Sequence, residues 1–362
     1  NGLVPTWLIS DFAGNSRVEG TVDMGPFEGS VKAPVAKLPL AGSAFEASQT
    51  TFTLEWEWPL GAPAGIVSYE VDYKLNDVSQ PSISGISGLN TNVIISASGA
   101  IAWCVAAIDD TGIKSWSEWS IFYKKRSGPV YIKVNGMGSG KAWNDATNLQ
   151  AALQNYIAGD ELWLQTGTYR PGSSRSASFV LKEGIKIYGG FFGNETTREE
   201  RDWNSNKTIL SGNIGLPDSK TDNSRNVLVA VGTAENPITA ATIVDGVIIE
   251  QGYNTETTGN GAGIKLSYAS VSFANVWFRD NYAYNGGAVS GDAYSKPTFF
   301  NSIFSSNSSM RYGGAVWAND HMEFTNCVFY GNSTNDRGGA IDNAASKTFV
   351  NVNNSIAWAN TS

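Results

Sequence analysis

Phe278-Arg-Asp-Asn281 is followed by Gly286-Gly287-Ala288-Val289, Phe304-Ser-Ser-Asn307 by Gly313-Gly314-Ala315-Val316, and Phe329-Tyr-Gly-Asn332 by Gly338-Gly339-Ala340-Ile341. One phrase thus returns three times, with Phe-to-Phe steps of 26 and 25 residues. A period of this length without helical apolar spacing predicts short strands wound into stacked coils, a β-solenoid. Lead asparagines recur at Asn275, Asn301, Asn326 and Asn354, and Asn360 trails the last phrase. Aligned asparagines in successive coils are expected to stack, each amide bonding the next at the strand spacing of about 4.8 Å. Phe278, Phe304 and Phe329 are expected to stack inside, and the Gly pairs to turn the backbone where a Cβ clashes. The last phrase departs from the pattern: Ala357-Trp-Ala-Asn360 replaces Phe-x-x-Asn, and no Gly pair follows.

The length, 362 residues, predicts two or three domains. Hydrophobic residues make up 41%, enough for real cores, but charged residues only 16%, so Ser, Thr, Asn and Gly carry the polar surface. The net charge of −8 and the lack of a basic patch argue against nucleic acid and anionic lipid as partners. No apolar run approaches a membrane span. Residues 1–20 lack the basic start and apolar stretch of a secretion signal, so a secreted form implies a signal that was removed or lies upstream. Cys104 and Cys327 fall in different predicted domains and read as buried free thiols.

Upstream of the repeats, Arg126-Ser-Gly-Pro129 marks a boundary, and residues 128–362 form the predicted solenoid. Val130-Tyr-Ile-Lys-Val134 reads as a strand, residues 146–157 carry apolar side chains at helical spacing, and Gly159-Asp-Glu-Leu-Trp-Leu164 returns to strand. Asn144 or Asp145 is the expected N-cap of that helix. Gly136-Met-Gly-Ser-Gly-Lys141 is not a phosphate loop, because Ala142 stands where the Mg²⁺-binding hydroxyl is needed.

Residues 34–127 show short alternating strands. Thr51-Phe-Thr-Leu-Glu-Trp-Glu-Trp58 and Val67-Ser-Tyr-Glu-Val-Asp-Tyr-Lys74 have period two, and residues 101–108 form a continuous apolar run. The layout predicts a β-sandwich. Residues 30–50, rich in Ala, Pro, Gly and Ser, have a linker composition. Trp116-Ser-Glu-Trp119-Ser120 is expected to contribute to an aromatic core rather than to a cation–aromatic ladder, the nearby cations being Lys114, Lys124 and Lys125.

Two resemblances follow. The sandwich resembles a fibronectin type III module, and its Trp-Ser-Glu-Trp-Ser stretch sits where cytokine-receptor modules carry a related signature. Residues 129–362 resemble pectin-lyase-like parallel β-helices of Bacteroidetes surface proteins. The resemblance rests on the strand–helix–strand opening, Gly184-Ile-Lys-Ile-Tyr-Gly-Gly-Phe191, Asn194-Glu-Thr196, Arg201-Asp-Trp203, Thr208-Ile-Leu-Ser-Gly212 and the repeats. It implies a right-handed parallel β-helix whose single N-terminal helix caps the first coil. The repeats are also similar to those of chlamydial polymorphic outer-membrane proteins, which are extracellular adhesins. Residues 1–33 resemble the closing coil of such a helix, with Asp11-Phe-Ala-Gly-Asn15-Ser-Arg17 and Val22-Asp23-Met-Gly-Pro-Phe-Glu28. Asp11, Asn15, Arg17, Asp23 and Glu28 form that end-closing segment, its charged side chains pairing over the exposed end.

Solenoids of this kind include polysaccharide lyases and hydrolases, so an active site is the natural question. Asp280, Asp292, Asp320, Glu323, Asp336 and Asp342 do not recur at one coil position, and no carboxylate pair follows from the period. His321 reads as an inert surface histidine, and Arg279, Arg311 and Arg337 as solvated. Glu195, Glu199, Glu200 and Asp202 are the densest acidic stretch, where calcium is the open alternative. Trp203, Trp277, Trp317 and Trp358 are candidates for a sugar platform, against burial within the coils. The resulting expectation is a non-catalytic, extracellular structural unit of a surface adhesin or filament, without a cofactor. Its expected partners are head-to-tail neighbours of the same protein, the solenoid's C-terminal end being uncapped, and surface glycans. The alternatives are a carbohydrate-active enzyme and a sugar-binding module.

Overall fold

The computed structural model describes residues 18–19, 21–22, 33–58, 61–292, 294–344 and 349–362. Asp11, Asn15, Arg17, Asp23 and Glu28 lie outside the described residues. The chain divides into two compact units, Asn1–Ser127 and Gly128–Ser362.

In the first unit, a three-stranded antiparallel sheet (Val35–Leu38, Thr51–Glu57, Asn90–Ile94) faces a sheet built around the long strand Gly99–Asp109, which pairs with both Ile66–Leu75 and Ser120–Lys124. Alternation sets the faces: Phe52, Leu54 and Trp56 point inward while Thr51, Thr53 and Glu57 are exposed. These side chains meet Tyr69, Val71, Ile101, Trp103, Val105 and Phe122 in one core. The sandwich is as expected, but two details differ. Residues 35–38 and 44–45 are strands rather than linker. Val35 to Leu38 supply side-chain bulk that the surrounding Gly and Pro lack, and Lys37 pairs with Glu55 at 2.9 Å. Trp116 and Trp119 stand outside the core, 39% and 45% exposed. Lys114 lies over the Trp116 ring at 5.9 Å and Lys74, from a neighbouring strand, over Trp119 at 4.6 Å. A cation–aromatic arrangement therefore forms, with lysines as cations. Lys124 is no part of it: it is buried and donates to the carbonyls of Ile95 and Ser96 at 2.7 and 2.9 Å.

The second unit is a parallel β-solenoid. One eight-stranded sheet runs from Val130–Ile132 through Lys186–Phe191, Ser272–Ala274 and Thr298–Phe300 to Val350–Asn353. A seven-stranded sheet includes Ile248–Glu250, Trp277–Arg279, Ile303–Ser305 and Val328–Tyr330, and a six-stranded one includes Ile264–Ser267, Val289–Gly291 and Val316–Ala318. A shorter four-stranded sheet, containing Tyr282–Asn285 and Ser308–Tyr312, completes the later coils.

Parallel pairing brings like residues to like positions. Phe278, Phe304 and Phe329 stack with centroids 5.0 and 4.7 Å apart and rings within 8° of parallel. A second column, Phe273, Phe299 and Phe324, stacks beside it at 4.9 and 4.8 Å. The columns meet edge to face, Phe299 on Phe304 at 5.4 Å. Each fully buried ring contributes about 1.5–3 kcal/mol, and each such ring pair about 0.5–1.5 more. Ala357 takes the next place below Phe329 in register, so the divergent last phrase still follows the column.

Left-handed residues at three of the corners keep the strands short. Asn275, Asn301, Asn326 and Asn354 turn the chain from the first sheet to the second with φ between 47° and 57°, and Gly246 does so one coil earlier. Asp280, Ser306, Gly331 and Ala359 repeat the left-handed conformation just before the trailing asparagines, and Gly286, Gly313 and Gly338 at the third corner. Asparagine tolerates this region better than other non-glycine residues, which gives the lead asparagines a conformational reason to recur. The two glycines of each pair differ in their reasons. Gly313 has φ 62° and a Cβ on it would stand 1.9 Å from the Val316 carbonyl oxygen of its own turn, whereas a Cβ on Gly314 would stand 2.0 Å from the carbonyl oxygen of Gly339 in the next coil.

The capping helix is shorter than its apolar spacing predicts, Leu149–Gln154, and buries Leu149, Ala152 and Leu153 in the apolar core of the first coils. Asn148, not Asn144 or Asp145, is its N-cap, accepting from the Ala151 N–H at 2.9 Å. Residues ahead of it cannot enter the helix, because Thr147 exchanges backbone bonds with Tyr131 and Lys133 in the first strand. Asp145 instead accepts hydrogen bonds from the Ser139 N–H and hydroxyl.

The glycine geometry generates a paired expectation. Gly314→Ala should lower stability by more than about 3 kcal/mol, because backbone of two coils must separate. Gly331→Ala, where φ is 62° but no atom lies within 4 Å of the added carbon, should lose only about 1–2 kcal/mol. Equal losses in denaturant melts would show that the close approach between coils is not what selects the pair.

Candidate functional site

Two rows of asparagine amides run down the solenoid. The trailing row is interior: Asn281, Asn307 and Asn332 are at most 1% exposed. The Asn281 Nδ2 donates to Asn307 Oδ1 at 3.0 Å, Asn307 to Asn332 at 3.0 Å, and Asn332 to Asn360 at 2.8 Å. Each Oδ1 also accepts the backbone N–H of the preceding rung. The second amide proton goes to a backbone carbonyl of the coil before: Phe278 for Asn307, Phe304 for Asn332 and Phe329 for Asn360. Both donors and the acceptor of Asn307 and Asn332 are therefore satisfied away from water. One coil earlier Gly252 occupies the rung, and its N–H donates to Asn281 Oδ1. Asn307→Ala would strand the Asn281 backbone N–H and the Phe278 carbonyl, while the Asn281 amide keeps the Ile249 and Arg279 carbonyls; at about 1–3 kcal/mol per orphaned group, unfolding should show a loss of several kcal/mol. A loss under about 1 kcal/mol would mean that water replaces the amide.

The leading row is at the surface and borders a groove of about 410 Å³. Asn275, Asn301 and Asn326 line it together with Trp277, Ile303 and Val328, each two residues further on in the same coil, while Ile248 one coil earlier is buried. Trp203, Asn204 and Lys207 line it at the coils nearer the N-terminus. The Trp277 indole N–H donates to the Ser305 hydroxyl at 2.7 Å, and the Arg279 guanidinium lies 4.7 Å from its ring. Trp203 carries Arg201 at 4.8 Å. Of the tryptophans proposed from sequence as a sugar platform, the structure brings Trp203 and Trp277 together here. Trp317 lies on another sheet and Trp358 in the last coil.

The charged residues singled out from sequence are dispersed and locally engaged. Burial pushes the Glu195 carboxyl up, but the N–H groups of Phe192, Gly193 and Asn194 outweigh it and hold the group below its ordinary value. Glu200 accepts from the Thr196 and Thr197 N–H groups, and Asp202 from those of Asn204 and Ser205. Glu199 lies beside Arg198. Arg201 pairs with Asp245 at 2.7 Å and Arg279 with Glu250 at 2.6 Å, so Arg279 is not simply solvated. Arg337 pairs with Asp342 and Arg311 approaches Asp336. His321 Nδ1 lies 2.7 Å from Asp320. Asp292 is held by Ser267, Ser295 and two backbone N–H groups. Glu323 is an exposed residue of its strand. Among the described residues no three His, Cys, Asp or Glu side chains group as metal ligands. Cys104 and Cys327 are buried and free. Burial pushes both thiols up, Cys104 to about 11.

A second cleft, of about 280 Å³, is more polar. Asp218, Lys220, Asn223, Tyr253 and Asp280 line it. Desolvation raises the Asp280 carboxyl above its ordinary value and Glu250 adds to the rise, against the pull of Arg279 and Lys220.

No family model matches the chain, and no curated protein does. Among solved structures, the fibronectin(III)-like modules of Clostridium thermocellum CbhA are 17% identical over 25% of this chain and 94% of that one, with a TM-score of 0.21. A fibronectin type-III domain of human fibronectin type III domain containing protein 3 is 26% identical over 29% and 97%, also at 0.21. Pectate lyase PelI of Erwinia chrysanthemi, solved in complex with tetragalacturonic acid, is 8% identical over 85% and 79%, at 0.19.

The Glu195 loop gives a pH test. A carboxyl held low when folded adds stability that is present above its unfolded value, about 4.3, and is lost as pH falls through the folded value. Glu195→Gln should therefore melt below the parent at pH 7, and the gap should narrow as pH falls below about 4. A gap that stays constant down to pH 3 would show that the carboxylate charge is not what holds the loop.

Proposed function

We propose that this chain is a non-catalytic structural segment of an extracellular adhesive protein. The observation that carries the reading is the interior asparagine row. Its rungs are satisfied by one another and by backbone, so this interior row calls for no ligand or metal of its own, which supports a self-contained scaffold. The surface supports an exposed setting: charged residues are only 16% of the chain, and polar neutral side chains cover much of the rest. The engaged carboxylates described above also support a scaffold. A hydrolase needs paired carboxyl groups across a bond, and a lyase needs a free base beside acidic metal ligands.

One observation favours a second reading, a carbohydrate-active enzyme. Asp280, raised in a polar cleft near Lys220 and Arg279, has the character of a general acid. Incubation with polygalacturonate and neutral polysaccharides, followed by absorbance of unsaturated ends and by reducing-end assay, separates the two. The scaffold reading expects no product. Product release that disappears in Asp280→Asn, with unfolding unchanged, would establish the enzyme and overturn it.

A further inference from the structure

The groove along the leading asparagines deepens the adhesive reading and rests on it. We infer that it binds a neutral, linear, 1,4-linked glycan laid along the coil stack, one sugar ring per coil.

The leading row is broken. Asn275 donates to Asp245 at 2.8 Å, Asn301 donates to Asn275 at 2.6 Å, and Asn354 donates to Asn326 at 2.6 Å. Among the described residues nothing joins Asn301 to Asn326. An acceptor, Asn301 Oδ1, and a donor, Asn326 Nδ2, thus stand open one coil apart, on exposed residues that border the groove. Sugar hydroxyls both donate and accept, and neighbouring hydroxyls on a ring or across a linkage can meet such a pair.

The side chains two residues beyond these asparagines supply the apolar half of sugar recognition. Trp277, Ile303 and Val328 follow one another in strand register and are each partly or fully exposed, while Ile248 one coil earlier is buried. Their spacing is the strand spacing of about 4.8 Å, close to the advance of one 1,4-linked pyranose ring. Trp277 is fixed by Ser305 and Arg279, so little freedom is lost when a ring packs on it. Three accessible rungs accommodate about three sugars.

Charge and backbone pairing narrow the occupant. Lys207 is the one charged side chain lining the groove among the described residues, and Asp245 at its head is already held by Arg201 and Asn275. An anionic chain has no row of cations to meet. A peptide adding as a strand needs unpaired N–H and C=O groups, but the strands bordering the groove are paired on both sides.

The full chain would be titrated by calorimetry with 1,4-linked gluco-, manno- and xylo-oligosaccharides of increasing length, and with oligogalacturonates. At least one neutral series should bind, with affinity rising to about three units and then levelling. Asn301→Gly combined with Asn326→Gly keeps a residue suited to the left-handed corner and deletes the amides; it should weaken binding by about tenfold or more without lowering the melting temperature. Trp277→Ala should weaken it similarly, and Trp317→Ala, on another face, should not. Absence of neutral binding at millimolar sugar, preference for oligogalacturonate, or full affinity in both groove variants would overturn the inference. Any of these in a chain that leaves polysaccharides intact sinks the groove alone; release of product sinks the scaffold reading itself.

Discussion

Strand spacing governs this solenoid. Parallel coils hydrogen-bonded in register place equivalent residues about 4.8 Å apart. A planar group at one position then meets its own kind directly above and below. That distance suits a side-chain amide bonding the next amide and two phenyl rings lying face to face. It also forbids a Cβ wherever two coil backbones come together, as at Gly314. The asparagine rows, the phenylalanine columns and the glycine pairs are three solutions to the same spacing.

The interior row shows why an amide is chosen over an apolar side chain at a buried corner. A left-handed residue precedes each trailing asparagine, and the tight turn leaves a backbone N–H and a backbone carbonyl without strand partners. A buried orphan of either kind destabilises by about 1–3 kcal/mol. Asparagine carries both a donor and an acceptor at the right reach, and satisfies the turn of its own coil and that of its neighbour. Aspartate lacks the donor, and leucine lacks both.

Much of this was legible in the residues, because repetition exposes what a single coil hides. The Phe278 column and the Asn281 row follow from aligning three phrases. The second column, Phe273, Phe299 and Phe324, escaped notice because its members lie outside the phrase that announces the repeat. The helix cap was misplaced because a backbone pairing with a strand decides it, and spacing alone does not record such pairing. Trp116 and Trp119 looked like core since their bulk suggests burial; Lys74, more than 40 residues earlier in the chain, provides the cation that keeps Trp119 outside. The groove is a juxtaposition of two corner-flanking columns. Its asparagines were visible, but the break between Asn301 and Asn326 depends on rotamers and has no signature in residue identity.

The two amide rows point in opposite directions. In the interior the earlier coil donates to the later one, Asn281 to Asn307 to Asn332 to Asn360. At the surface the later coil donates to the earlier, Asn301 to Asn275 and Asn354 to Asn326. Aligned dipoles in a poorly polarisable interior reinforce one another and build a field that strengthens toward the ends, as they do in a helix. Rows of opposed sense oppose that growth. A stack built this way can gain coils without gaining the full electrical polarity that one unopposed row would impose on it.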